Sequence, residues 1–279
     1  MMSDDRPLQR CAILGTASSW TQCPWGDTDL LVLGLNDAYV LGYPRADVWF
    51  DLHAFHAMTF HTAGKPVDPR ATQVGAYLRP AGHLEWLKSR ATPVYLQQGR
   101  PDWPSSRTFP REAVLAYWAK FWPWRVDRQG TVTPGKDYEV STPAWMYMWA
   151  VMEGFTEIHI YGVHLATEWE YIQQRPNLEF LIGVAAGLGV KTVLPTAVPI
   201  CQSPFRYAYE PKADLAAQAI QREMDLCAHD QQLLDRAAKA VPWYRPRQKQ
   251  DFVTQARRLK VERMDLGMQL QHVRTPGGR

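Results

Sequence analysis

Short apolar runs closed by turn-forming residues alternate with stretches of helical periodicity along the first two hundred or so positions. That alternation predicts a mostly parallel sheet with crossover helices, because buried parallel strands read as brief continuous hydrophobic runs. The predicted strands are residues 11–15, 30–35, 47–52, 93–97, 157–162 and 191–194. The sharpest unit is 141–163, where Thr142 is read as a helix cap, Pro143 suits a first turn and Gly154 stops the helix. Ile158 and Ile160 then alternate with His159 and Tyr161 as in a strand. Residues 177–187 read as a packed crossover helix, preceded by a break at the QQRPN sequence around Arg175 and Pro176.

Between 98 and 140 the prolines 101, 104, 110, 123 and 134 surround one short helical stretch, 111–122, and predict an insertion or lid over the sheet. Its Trp103, Trp118, Trp122 and Trp124 suit either the floor of a cleft or local packing. From 211 onward two long helical patterns, 214–240 and 251–271, flank a break at Pro242 to Pro246. The expected architecture is α/β: a Rossmann-like, mostly parallel sheet with helices on both faces over 1–210, and a basic C-terminal helical hairpin over 211–279.

At 279 residues with 46% hydrophobic content, the chain can bury one large core, or one core plus a modest helical appendage, so disorder is not the default reading. The formal charge of +3 does not announce a nucleic-acid binder, although charge is concentrated locally in the tail. Cys11, Cys23, Cys201 and Cys227 include no CxxC pair, which argues against both a zinc site and a disulfide framework and fits reduced thiols. The start MMSDDRPLQR lacks the basic-then-apolar order of a signal peptide, and no apolar run approaches a membrane span. A cytoplasmic protein without membrane contact is the expectation.

Ligands of open parallel sheets sit beyond the carboxyl ends of the strands. After the first strand stands Gly15-Thr16-Ala17-Ser18-Ser19, a small-residue turn whose backbone can approach a phosphate or ribose closely. After the second stand Asn36, whose amide can read a base or ribose, and Asp37, a candidate helix cap. Asp51 and His53 follow the third strand, and Gly162, His164 and Thr167 follow the fifth. Four strand ends, each closing in polar groups, are harder to explain as packing than any one alone.

The GxxxS turn at Gly15 to Ser19, Asn36 at the second strand tip and the sequence STPAWMYMWAVMEGFTEIHIYGVHL over 141–165 resemble the sialyltransferases of glycosyltransferase family 42. The MptE-like (DUF115) proteins share that pattern. The phrases GLNDAY, HLEWL and IYGVHLAT also resemble proteins encoded in tailed-phage genomes. The resemblance covers roughly 10–196 and leaves the helical tail unmatched. It implies a nucleotide held by Gly15, Thr16, Ser18, Ser19, Asn36 and Thr142, and catalysis without a metal. The chain departs from those enzymes in the lid after the fifth strand, which is much shorter here and holds no histidine beyond His164.

Glycosyl transfer needs a base for the acceptor hydroxyl and groups that stabilise a departing phosphate. His164 is the first candidate base, although a strand-end histidine serves equally as a structural hydrogen bonder. Glu168 and Glu170 are alternatives, and Thr167 with Glu170 has the form of a capping box. Arg175 is a candidate diphosphate clamp or a solvated loop residue.

Asp51, His53, His56 and His61 would gather on a metal only if the chain turned helical straight after the strand, so no metal is expected. Asp27-Thr28-Asp29 superficially matches a DxD motif but precedes a strand, and is read as a turn. In the tail, Arg245, Arg247, Lys249, Arg257, Arg258, Lys260, Arg263, Arg274 and Arg279 outnumber Asp251, Glu262 and Asp265 and could grip a polyphosphate backbone. The expected activity is transfer of a sugar from a nucleotide-sugar co-substrate to a hydroxyl, a hydroxylated base in phage DNA being the acceptor considered. No further cofactor is required. An MptE-like pyrophosphokinase or nucleotidyl transferase using ATP, and a non-catalytic nucleotide-binding protein, are the alternatives.

Overall fold

Cys11 and Ile13 of the first strand face one hydrophobic core, and Ala12 and Leu14 face a second on the other side of the sheet. The structure, a computed structural model, describes residues 9–54, 82–133, 135, 141–165, 171–196, 198–202 and 246–274, with helical residues within 220–239. Its strands are β1 (Arg10–Leu14), β2 (Leu30–Leu35), β3 (Val48–Asp51), β4 (Val94–Leu96), β5 (Ser106–Thr108), β6 (Arg125–Val126), β7 (Val132–Thr133), β8 (Glu157–Tyr161) and β9 (Lys191–Val193). Seven of them form one sheet in the order β5-β4-β3-β2-β1-β8-β9, with every pairing parallel. Strands β6 and β7 pair as a separate antiparallel ribbon.

Helices cover both faces, which establishes the α/β Rossmann-like architecture. On one face α2 (Arg111–Trp118), α3 (Thr142–Met152) and α4 (Tyr171–Gly187) contribute Val114, Trp118, Met146, Ala150, Leu178 and Leu181 to the larger core. On the other, α1 (His83–Lys88) contributes Leu87 beside Trp49 and Trp103. Fully burying each such aliphatic side chain contributes about 1.5–3 kcal/mol before chain entropy is counted. In β2, Gly34 lets the Trp49 ring lie against the strand, since a Cβ there would fall 2.1 Å from the ring.

Several expectations are corrected in detail. The α3 cap is Ser141, whose Oγ accepts from Ala144 N at 3.3 Å, and Thr142 is the first helical residue. The segment 98–140 supplies β5 and α2 to the sheet domain, so it contains more regular structure than an excursion. Trp103, Trp118 and Trp122 are buried in packing, while Trp124 is exposed. Helix α4 begins at Tyr171, with Pro176 inside it, so the break expected before Asn177 is absent. The last helix, α5 (Pro246–Arg274), starts at the proline read as part of a break. Among the described residues no helix is long and apolar enough to cross a membrane.

Candidate functional site

The chain leaves β1 toward β2 on one side and returns beside β1 with β8 on the other, so the order of strand addition reverses between β1 and β8. At that reversal the two tips are locked together. Gly15 N donates to Tyr161 O at 2.8 Å and Ala17 N to Gly162 O at 2.8 Å. A Cβ on Gly15 would lie 2.3 Å from Gly162 O, and one on Gly162 would lie 2.1 Å from Gly15 O. Gly162 also has φ +70°, a left-handed conformation that suits glycine. The glycines were legible as strand-tip residues; their mutual contact was not.

Ser18 and Ser19 sit in a single 3-10 turn, Ser18–Gln22, and both are buried. Ser19 Oγ accepts from Gly162 N at 2.8 Å and lies 3.0 Å from His164 Nε2. Ser19 and the buried His164 therefore brace the β1 and β8 tips from beneath. Within Gly15–Ser19, Thr16 is the exposed residue. Tyr43 reinforces it, its hydroxyl donating to Gly15 O, and burial raises that phenol's pKa far above its ordinary value.

At the β2 tip Asn36 adopts φ +50°, which asparagine tolerates better than most residues. Its backbone is fixed from both sides: N donates to Phe50 O at 2.8 Å, and Trp49 Nε1 donates to its carbonyl at 2.9 Å. Its side-chain Oδ1 is buried and finds no donor among the described residues. Asp37 precedes the 3-10 turn Ala38–Leu41 but makes no side-chain capping bond to it, contrary to the expected cap.

Asp51, at the end of β3, is completely buried. One carboxylate oxygen lies 2.7 Å from His53 Nδ1 and accepts from His53 N at 3.3 Å. The other lies 2.7 Å from Nε2 of His83, which is also fully buried. His83 Nδ1 lies 3.3 Å from the Tyr39 hydroxyl, and the two rings are stacked with centroids 5.6 Å apart. His53 is partly exposed, at 33% of its side chain, and Tyr39 is partly buried, while Asp51 and His83 are sealed from solvent. The carboxylate stands between the two imidazoles, which suits proton handling better than shared metal coordination. Among the described residues no group of three or more His, Cys, Asp or Glu is arranged to hold a metal ion. His56 and His61 lie outside the described residues, as do Thr167, Glu168 and Glu170.

Thr142 belongs to the same edge. Helix α3 packs on β1 and β3 and leads down to the start of β8, so its first turn stands at the carboxyl ends of the strands. Trp145 of that turn meets Phe109, which directly follows β5, at a centroid distance of 5.6 Å. Gly15, Asn36, His53 and Thr142 therefore share one rim of the sheet.

Arg175 is not in a loop. It lies within α4, where Nε donates to Glu179 Oε1 at 2.9 Å and Nη2 donates to the carbonyls of Pro199 at 2.6 Å and Gln202 at 3.2 Å. The guanidinium ties α4 to the turn after β9. Asp27 forms a two-pronged pair with Arg10, at 2.8 and 3.1 Å, and accepts from Asp29 N at 3.1 Å in a turn ahead of β2. His83 and Tyr39 were missed in the sequence, because nothing local marks a histidine 32 positions downstream as the partner of Asp51.

The chain matches no family model and no curated protein. Among solved structures it is similar to the sialyltransferase CstII from Campylobacter jejuni in complex with CMP-3FNeuAc, at 12% identity and a TM-score of 0.37, covering 76% of this chain and 98% of that one. The CST-II complex with a trisaccharide acceptor and CMP gives 12% identity and 0.38, with 76% and 99% covered. The CstII complex with cytidine-5'-monophosphate gives 13% and 0.37, with 67% and 79% covered.

Proposed function

We propose that this chain is a glycosyltransferase that moves a sugar from a nucleotide-sugar donor to a hydroxyl acceptor. The observation that carries the reading is the shared rim, where the tight Gly15–Gly162 tip and the buried Asn36 Oδ1 stand beside a histidine held by a buried carboxylate. Thr16, Asn36 and the first turn of α3, with Thr142, support a donor site. A backbone this close-packed can approach ribose and phosphate, and an unsatisfied buried amide oxygen suits a donor group on a base or sugar. Asp37 and Gly162 flank that site. Ser18, Ser19 and His164 shape it from beneath, and Arg175 acts at a distance by holding α4.

His53 is the proposed base in preference to His164, because it is partly exposed and has Nδ1 turned to Asp51. In the reaction Nε2 of His53 takes the proton of the acceptor hydroxyl. That oxygen bonds to the anomeric carbon as the bond from this carbon to the donor phosphate breaks, and the nucleotide leaves with the bonding electron pair. Exposed Arg257 and Lys260 on α5 support an acidic acceptor, and DNA bearing a hydroxylated base is the one proposed.

The test is incubation with a panel of labelled nucleotide sugars and with ATP plus magnesium, scored for the nucleotide released. Release of nucleoside mono- or diphosphate with sugar on the acceptor, lost in His53→Ala and retained in part in His164→Gln, is expected. Release of AMP from ATP would assign the rim to pyrophosphoryl or nucleotidyl transfer instead, and tight binding without turnover would make it a binding protein.

A further inference from the structure

The side chains of Tyr39, His83, Asp51 and His53 form one continuous chain from α1 and the β2 tip to the rim. Its interior members, His83 and Asp51, are fully buried, and a buried carboxylate is tolerated only when its oxygens are occupied by donors. We infer that His83 is a positioning residue that fixes Asp51, so that the carboxylate holds His53 with Nδ1 inward and Nε2 toward the rim.

A self-consistent set of protons fits this geometry. The Tyr39 hydroxyl donates to His83 Nδ1, which leaves His83 with its proton on Nε2, donating to Asp51 Oδ2. His53 then donates through Nδ1 to Oδ1, the oxygen that also accepts the His53 backbone N–H. Among the described residues Asp51 thus receives three donors, with its plane set by His83, and a carboxylate so clamped cannot rotate away from His53. Tyr39 is held in turn by Trp86, stacked on it at 3.9 Å, and Gly82, with φ +83°, turns the chain into α1 so that His83 is its first helical residue. The whole array is supported by packed rings, as a preorganised proton acceptor requires. In this role His83 touches no substrate and acts through Asp51.

The assignment of His53 as base rests on the proposed transfer reaction, whereas the tautomer it predicts does not. Full-length protein labelled with nitrogen-15 at histidine is read by long-range proton–nitrogen spectra without any ligand. The His53 ring, identified by its loss in His53→Gln, is expected as the single Nδ1–H tautomer with a downfield, slowly exchanging Nδ1 proton. His83→Gln, whose amide can still reach Asp51, is expected to keep that signature, and His83→Asn, one methylene shorter, to lose it.

Should His83→Asn not fold, Tyr39→Phe removes only a hydroxyl and is expected to let His83 populate both tautomers and to halve the His53 signal. A His53 spectrum unchanged in whichever of these two variants folds would overturn the inference and leave His83 as packing. Where transfer is detected, His83→Asn is expected to lower kcat about tenfold or more at unchanged KM, with His83→Gln restoring it. Absence of transfer with every nucleotide sugar would sink the proposed reaction and leave the tautomer result standing.

Discussion

Ser19 and His164 come from segments on either side of the sheet reversal, yet the serine hydroxyl lies 3.0 Å from Nε2 of the buried imidazole and also accepts the Gly162 amide. One small side chain that follows β1 therefore engages two groups of the segment that follows β8. Ser19→Ala leaves the Gly162 N–H without this acceptor inside the protein, and is expected to destabilise the fold by about 1–3 kcal/mol. Urea unfolding with an unchanged m-value would measure it. A change of only a few tenths would show that the brace carries no energy.

Gly162→Ala combines a left-handed backbone with a Cβ placed 2.1 Å from Gly15 O. The strain alone is about 1–3 kcal/mol, and the overlap must also push the β1 tip away. Loss of the thermal shift produced by a nucleotide ligand is expected even at temperatures where the variant stays folded. Retained binding would show that the tip geometry does not form the donor site.

Asn36 separates backbone from side chain cleanly. Asn36→Gly keeps the positive φ and is expected to change stability by no more than about 1 kcal/mol, while removing the amide whose Oδ1 is buried without a donor among the described residues. The ligand-induced rise in Tm should disappear, because such a rise measures occupancy of the folded form. Equal shifts in wild type and variant would remove Asn36 from the site.

Lys191 Nζ donates to Glu157 at 2.9 Å and His159 Nε2 lies 2.6 Å from its other oxygen, so first the lysine and then the histidine hold this carboxyl below its ordinary range. A depressed folded value means stability that is present above the unfolded value and lost as pH falls through the folded one. Wild-type unfolding free energy is expected to fall between about pH 5 and pH 3, and Glu157→Gln should flatten that slope. Parallel curves would exclude Glu157 as a contributor.

Strands β1, β2 and β8 were legible because they are central: their neighbours cover both edges and both faces, so evolution of the chain leaves near-continuous apolar runs such as CAIL and LLVLGL. Strand β5 was not. Ser106-Arg107-Thr108 lies at the sheet edge with two of its three residues exposed, and carries no hydrophobic signal. Pro176 misled in the opposite direction, since one missing backbone hydrogen bond near the start of α4 is outweighed by the burial of Leu178, Leu181 and Ala185.

At the rim, residue types next to strand ends could be read, because topology alone brings strand ends together. The partners chosen there could not. Arg175 finds carbonyls at 199 and 202, and Asp51 finds His83, through contacts that exist only after the chain has folded back.

The parallel pairing of β1 with β8 has a consequence for how the chain comes to be folded. Ser19 and the Gly162 amide that it binds are 143 positions apart, so during synthesis β1 can pair with β2 long before its other partner has left the ribosome. Until then β1, whose last four residues are buried in the finished sheet, is an open edge, available to any neighbouring chain. The strand that completes the rim is also the one that ends this exposure, so a nascent or truncated chain lacking 157–161 is expected to self-associate before it can bind anything.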